Sequence, residues 1–143
     1  MNAKNFSALA ILTAALVSGC SSVKARHYGT VPLESLKTAC VILAPKGNPH
    51  VAEYIDVALA HHNVKTRVVP MEDKPADAEF YVTYTEHWNW DVTVYLQSLD
   101  VQFLDNKTAQ VIATGSFRQG FFHSFPDPRT KTFEVVDDIY NAK

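Results

Sequence analysis

Cysteine is almost absent from this chain. There are two in 143 residues, Cys20 and Cys40, so no disulfide-stapled scaffold is possible and the fold must hold by packing. Basic runs are absent too. Lysine and arginine number 13 against 15 acidic residues, a balance that gives no footprint for nucleic acid. No glycine-rich phosphate loop, no HExxH pair and no serine elbow occurs, which removes the activities those motifs carry. No apolar run reaches the ~20 residues of a spanning helix. Internal repeats and low-complexity segments are missing as well.

What is present begins with the leader. Lys4 supplies a positive charge beside the start amine, and Phe6 to Val17 is apolar apart from Ser7 and Thr13. This twelve-residue core fits the central region of an export signal. It runs into Leu16-Val17-Ser18-Gly19-Cys20, small residues directly before a cysteine. That is the lipobox pattern. It predicts cleavage between Gly19 and Cys20 and a diacylglycerol thioether on Cys20, usually joined by an N-acyl chain. Several chains at ~0.8 kcal/mol per buried methylene would hold the protein on a membrane essentially permanently. By resemblance to Gram-negative lipoproteins, the residue after the cysteine sorts the product. Ser21, rather than aspartate, implies the outer membrane, with the domain facing the periplasm.

The expected organisation is a leader at 1–19, a lipidated cysteine and tether at 20–38, and one domain at 39–143. The leader carries one basic residue, Lys4, and no acidic one, so removing it moves the net charge from −2 to −3. The 124 residues that remain suit a single domain with a sizeable core.

Ala39 to Ala44 is a continuous apolar run, as in a strand buried on both faces. Cys40 lies inside it and reads as a small buried hydrophobe rather than a reactive thiol, since no basic neighbour is in view. Asn48 can cap a helix with Pro49 in its first turn. Val51, Tyr54, Ile55, Ala58, Leu59 and His62 then form one apolar stripe, and Asn63 suits a left-handed stop. His61 and His62 point about 100° apart on a helix, so no metal site is expected there. Thr66 to Val69 is a short strand that completes a βαβ unit.

The longest readable strand runs from Phe80 to Val92. Phe80, Val82, Tyr84, Trp88, Trp90 and Val92 share one phase, which places both tryptophans in the core beneath the helix stripe. Their alternative role is to stack a ligand. Glu86 breaks this phase. A bulge or an edge position that frees it is the expected answer; a partly buried carboxylate with a partner is the alternative, and that would hint at a functional site. Tyr95 to Leu104 and Gln110 to Phe117 continue as a meander, with Gln97-Ser98 a candidate phase change and Asp105 to Thr108 a turn. Gly115 suits a bulge or a close backbone approach. Phe121, Phe122 and Phe125 follow no period among Gly120, Pro126 and Pro128. They either cap the open end of the core, the favoured reading, or anchor a partner. Thr130 can cap a terminal helix carrying Phe133, Val136, Ile139 and Tyr140.

The fold class is therefore α+β: a βαβ unit, then an antiparallel meander, about five strands in one mixed sheet, with one helix on a face and a C-terminal helix. The lipobox, this order of elements, and Tyr81 to Thr85 running into Trp88-Asn89-Trp90-Asp91 resemble the small uncharacterised outer-membrane lipoproteins of Gram-negative bacteria. That resemblance implies no catalytic residues. The order of elements is also similar to that of the amino-terminal domain of TolB. The functional expectation is an envelope lipoprotein, not an enzyme, that binds an envelope protein as scaffold or accessory, or else binds a peptide, glycan or lipid. The membrane is expected through Cys20, with no nucleic acid, cofactor or metal. Contact residues are sought among Phe121, Phe122, Phe125, Trp88, Trp90 and Glu86.

Overall fold

A computed structural model describes residues 21–120 and 125–142. The leader, the predicted cleavage and lipidation site at Gly19 and Cys20, and the candidates Phe121 and Phe122 lie outside the described residues. The strands are β1 (Ser22–His27), β2 (Ala39–Ile42), β3 (Val68–Val69), β4 (Phe80–Trp90), β5 (Val94–Asp105) and β6 (Val111–Arg118). The helices are α1 (Pro49–His61) and α2 (Pro128–Asn141). One mixed sheet has the order β1-β6-β5-β4-β2-β3. β2 is parallel to β3 and β4, and the other pairs are antiparallel. The α+β architecture is the expected one, with one strand more.

The extra strand comes from residues read as tether. Ser22–His27 pair with β6 from Ser22↔Arg118 to His27↔Ala113. Val23 and Ala25 pack on the core while Lys24 and Arg26 point to water. Charged side chains are how an edge strand avoids further pairing, and they also make its sequence look like a linker. β3 is shorter than expected. It pairs only through Val41↔Val68 and Ile42↔Val69, preceded by a lone Thr38↔Lys65 bridge.

Both helices lie on one face of the sheet. The Asn48 side chain accepts from the His50 N–H at 3.0 Å, Pro49 opens α1, and Asn63 takes φ 61° just beyond its end. Val51, Ala52, Ile55, Ala58 and Leu59 are buried against Val41, Phe80, Val82 and Phe103. Each fully buried side chain of leucine or phenylalanine size is worth about 1.5–3 kcal/mol. In α2 the cap is Asp127, not Thr130. Asp127 Oδ2 accepts from the Thr130 N–H at 2.9 Å and from its hydroxyl at 2.8 Å. Pro128 holds the first helical position, which puts the cap one residue before it. Thr132, Val135, Val136 and Ile139 are the buried residues of α2. The helices are tied together at His62, which stacks on Tyr140 at 3.9 Å and meets Asp137 Oδ1 at 2.7 Å.

On the other face the covering is local. Cys40, Ile42 and Tyr81 form a small buried cluster there, with Val69 and Leu104 packed against it. Lys74 donates to the Asn106 carbonyl and side chain and sits 4.5 Å from the Tyr81 ring centre. Glu79 Oε2 accepts from the Lys37 and Thr38 N–H groups at 2.6 and 2.8 Å, clamping the lead-in to β2 onto the start of β4. These bonds, the one from Lys37 foremost, hold its carboxyl below the usual range. From β1 to the middle of β4 the same face is polar: Lys24, Arg26, Thr114, Ser116, Asp100, Gln102, Thr83 and Thr85 follow from the register. Arg118 grips Asp100 with two bonds of 2.7 and 2.9 Å at its centre.

Candidate functional site

The β4–β5 hairpin outruns its neighbours, and this creates the site. β2 follows β4 only from Phe80 to Val82, and β6 follows β5 only as far as Ser98. Beyond those points, apart from one bond of 2.9 Å from the Gln119 N–H to the Gln97 carbonyl, β4 and β5 pair with each other, up to Trp90↔Val94. The register shifts between His87 and Trp88: His87 faces Ser98 and Trp88 faces Leu96, so Gln97 is the extra residue. This is the phase change foreseen at Gln97-Ser98. It turns Leu96 onto the helix face and Tyr95 onto the opposite one, and both are buried.

Glu86 lies one residue before that shift, so no bulge frees it. Its carboxylate is partly buried, and Oε1 accepts from the Asn48 N–H. The expected escape is thus corrected to a partnered carboxylate at the start of α1, where the helix dipole favours negative charge. Oε2 is buried and meets no partner among the described residues. Tyr84 lies beside it, its hydroxyl donating to the Asn48 carbonyl at 3.4 Å and pushed up in pKa chiefly by burial. Glu86 therefore anchors a helix to the sheet. An open groove of about 400 Å³ runs along this anchor, lined by Ala44, Pro45, Lys46, Gly47, Tyr84, Thr85 and Glu86.

The tryptophans part company. Trp88 packs partly on the core, its indole N–H buried with no partner among the described residues. Trp90 is 73% exposed, which corrects its placement in the core. Their shared phase is real, but α1 begins at the level of Glu86 and the cover thins beyond it: Leu96 and part of Trp88 still pack on the core, whereas Trp90 does not. Val92 and Val94 complete the apex at 85% and 60% exposure. We expect Trp88→Ala to cost about 2 kcal/mol, less than the roughly 3–5 kcal/mol of a fully buried tryptophan. Trp90→Ala should stay within about 0.5 kcal/mol of the parent. Urea midpoints read the contrast; an equal fall for both would mean that the apex is packed.

Phe125 adds the fourth group. It sits at φ 49°, an unusual backbone for a bulky residue, and its ring meets Tyr95 edge-on at 5.5 Å. It is still 39% exposed, so it half-covers the open-face end of the core and half-faces solvent. Sequence reasoning missed Val92, Val94 and Tyr95. The usable signal was length, since an eleven-residue β4 beside a six-residue apolar run cannot be paired along its whole extent.

Other candidates are inert or scattered. Cys40 is wholly buried, and burial pushes its thiol up against the smaller opposing effects of Lys74 and Arg67. Among the described residues no group of three His, Cys, Asp or Glu side chains converges as a metal site would require. No described helix is long and apolar enough to cross a membrane.

What the fold and this end of the sheet define is a small α+β domain, helices on one face, with an apolar ribbon projecting from it. No family model and no curated protein matches the chain in sequence. Solved structures do match in shape. PelC from Paraburkholderia phytofirmans, a dodecamer, is 12% identical with a TM-score of 0.58, over 86% of this chain and 99% of that one. A DUF4136 family protein from Bacteroides thetaiotaomicron is 10% identical with a TM-score of 0.56, over 85% and 94%. At these identities the likeness is one of fold.

Proposed function

We propose that this chain is a lipid-anchored, non-catalytic protein of the Gram-negative outer membrane that binds another envelope protein as an accessory or scaffold. The observation that carries the protein-binding part is the aromatic corner formed by Tyr95 and Phe125 on the open face of the sheet. A bulky residue held at positive φ with its ring half exposed is a local strain that the fold retains, and such outliers gather at functional positions. Aromatic residues, phenylalanine among them, are also enriched at protein interfaces relative to the rest of the surface. Phe121 and Phe122 lie four and three residues before Phe125 in the chain. The anchor is supported by the lipobox ending at Cys20. PelC from Paraburkholderia phytofirmans is a dodecamer, and on that analogy a second copy of this chain belongs among the candidate partners.

Phe125→Ser tests the reading in the full lipoprotein. The melting temperature should stay within about 2 °C of the parent, as for a surface substitution. A photo-crosslinker placed at Phe122 should give a discrete protein adduct in the parent and lose it in the variant. A large fall in melting temperature with the adduct unchanged would make Phe125 a core cap and remove the interface.

A further inference from the structure

We propose that the apex of the β4–β5 ribbon, Trp90 to Val94, is a second membrane contact that sits in the headgroup region of the bilayer entered by the lipid on Cys20. This rests on the anchoring part of the proposed function and goes beyond it, because the lipobox says nothing about which surface of the domain meets the membrane.

The register places the two features at one end. Ser22 is level with Arg118, Arg118 with Ser98, and Ser98 with His87. β1 therefore starts at the height where the ribbon leaves the sheet, and it runs in the same direction as β5. Cys20 precedes Ser22 by two residues, so the lipid attaches at the end from which the ribbon projects. From the His87–Ser98 level outward the ribbon continues through three register levels, Trp88↔Leu96 to Trp90↔Val94, about 10 Å at strand rise, before its turn. The apex thus projects about 10 Å beyond the level of Ser22, comparable to the ~5–10 Å depth of the headgroup boundary. Two to three strand spacings, about 10–14 Å, separate the start of β1 from the apex sideways, which gives two points of support instead of a pivot.

The chemistry of the apex fits this occupant. Trp90, Val92 and Val94 are among the most exposed large apolar residues described. Tryptophan favours the membrane–water boundary, where its ring is buried and its N–H stays wet. The ribbon's unpaired edges prevent deeper entry, since backbone groups without partners are costly in hydrocarbon. Three side chains fall far short of the roughly 800 Å² per partner of a stable protein interface. Beside a lipid anchor, weak insertion becomes an intramolecular step and so suffices.

The test uses the full lipoprotein with Val92→Cys, labelled with the environment-sensitive fluorophore NBD and reconstituted into phosphatidylethanolamine–phosphatidylglycerol vesicles. With Cys20 consumed by its thioether and Cys40 buried, the new thiol is the accessible one. We expect a blue shift, a severalfold rise in emission, and quenching by lipids carrying a nitroxide high on the acyl chain. The same label on Lys107→Cys, in the turn at the opposite end of the sheet, should remain water-like. If the protein floats with the vesicles while the label at position 92 stays water-like, the apex contact is wrong and the anchor stands. If the protein does not float, the anchor fails and the apex contact fails with it. A shift that depends on protein concentration in the absence of vesicles would assign the apex to a second copy of this chain and overturn the proposal.

Discussion

Replacing Gly115 with leucine is expected to unfold the domain or cost it more than about 3 kcal/mol, the upper end of ordinary overpacking. A Cβ at this position would lie 2.7 Å from Ile139 Cγ1, 2.8 Å from Ile139 Cδ1 and 2.8 Å from Val135 Cγ1. Both neighbours are fully buried on the inner side of α2. No described glycine has a positive φ, so the demand is for space, not for a left-handed backbone. Strand propensity pulls the other way, because glycine weakens a strand by about 0.5–1 kcal/mol relative to alanine. For Gly115→Ala the propensity gain offsets only part of the crowding, and a loss of about 1–2 kcal/mol is expected. For Gly115→Leu, α2 would have to lift from β6, and packing wins. Urea unfolding of the two variants checks the order. If Gly115→Leu matches the parent midpoint, α2 is not seated on this strand.

Cys20→Ala is expected to abolish lipid attachment altogether. At ~0.8 kcal/mol per buried methylene, one myristoyl chain gives only marginal binding, whereas two or three give stable anchoring. No substitution elsewhere in the chain should change membrane residence as much. Fractionation alone is a poor readout, because the apolar stretch from Phe6 to Val17 can hold an uncleaved leader on the membrane. Metabolic labelling with a radioactive fatty acid separates the cases. The parent should incorporate label and the variant none; label retained on Cys20→Ala would refute the modification.

The parts of the fold that could be read from sequence are those where burial and period agree. The Ala39–Ala44 run, the Asn48-Pro49 start, the α1 stripe and the Asn63 stop each state one physical requirement, and each appears in place. The Gln97-Ser98 phase change was legible because Leu96 and Leu99 cannot share a face without an extra residue between them. β1 was hidden by its own edge chemistry, since Lys24 and Arg26 make a paired strand resemble a solvated linker. Trp90 was misplaced for a different reason. Alternation reports which face a residue shares, not how far the helix layer extends along that face. Glu86 showed as an irregularity, but its partner is a backbone N–H thirty-eight residues earlier, and periodicity carries no information about that distance. The apex was illegible for the same reason: exposure there follows from the unequal lengths of β2, β4 and β6, a property of the assembled sheet.

A lipid on Cys20 at the ribbon end of the domain is the claim on which the rest depends. Mass spectrometry of the N-terminal tryptic peptide, from protein extracted out of membranes with detergent, tests it most directly. The expected peptide runs from Cys20 to Lys24, with the mass of a diacylglycerol thioether and an N-linked acyl chain on Cys20. A peptide that still carries leader residues, or one in which Cys20 bears an unmodified thiol, would contradict it.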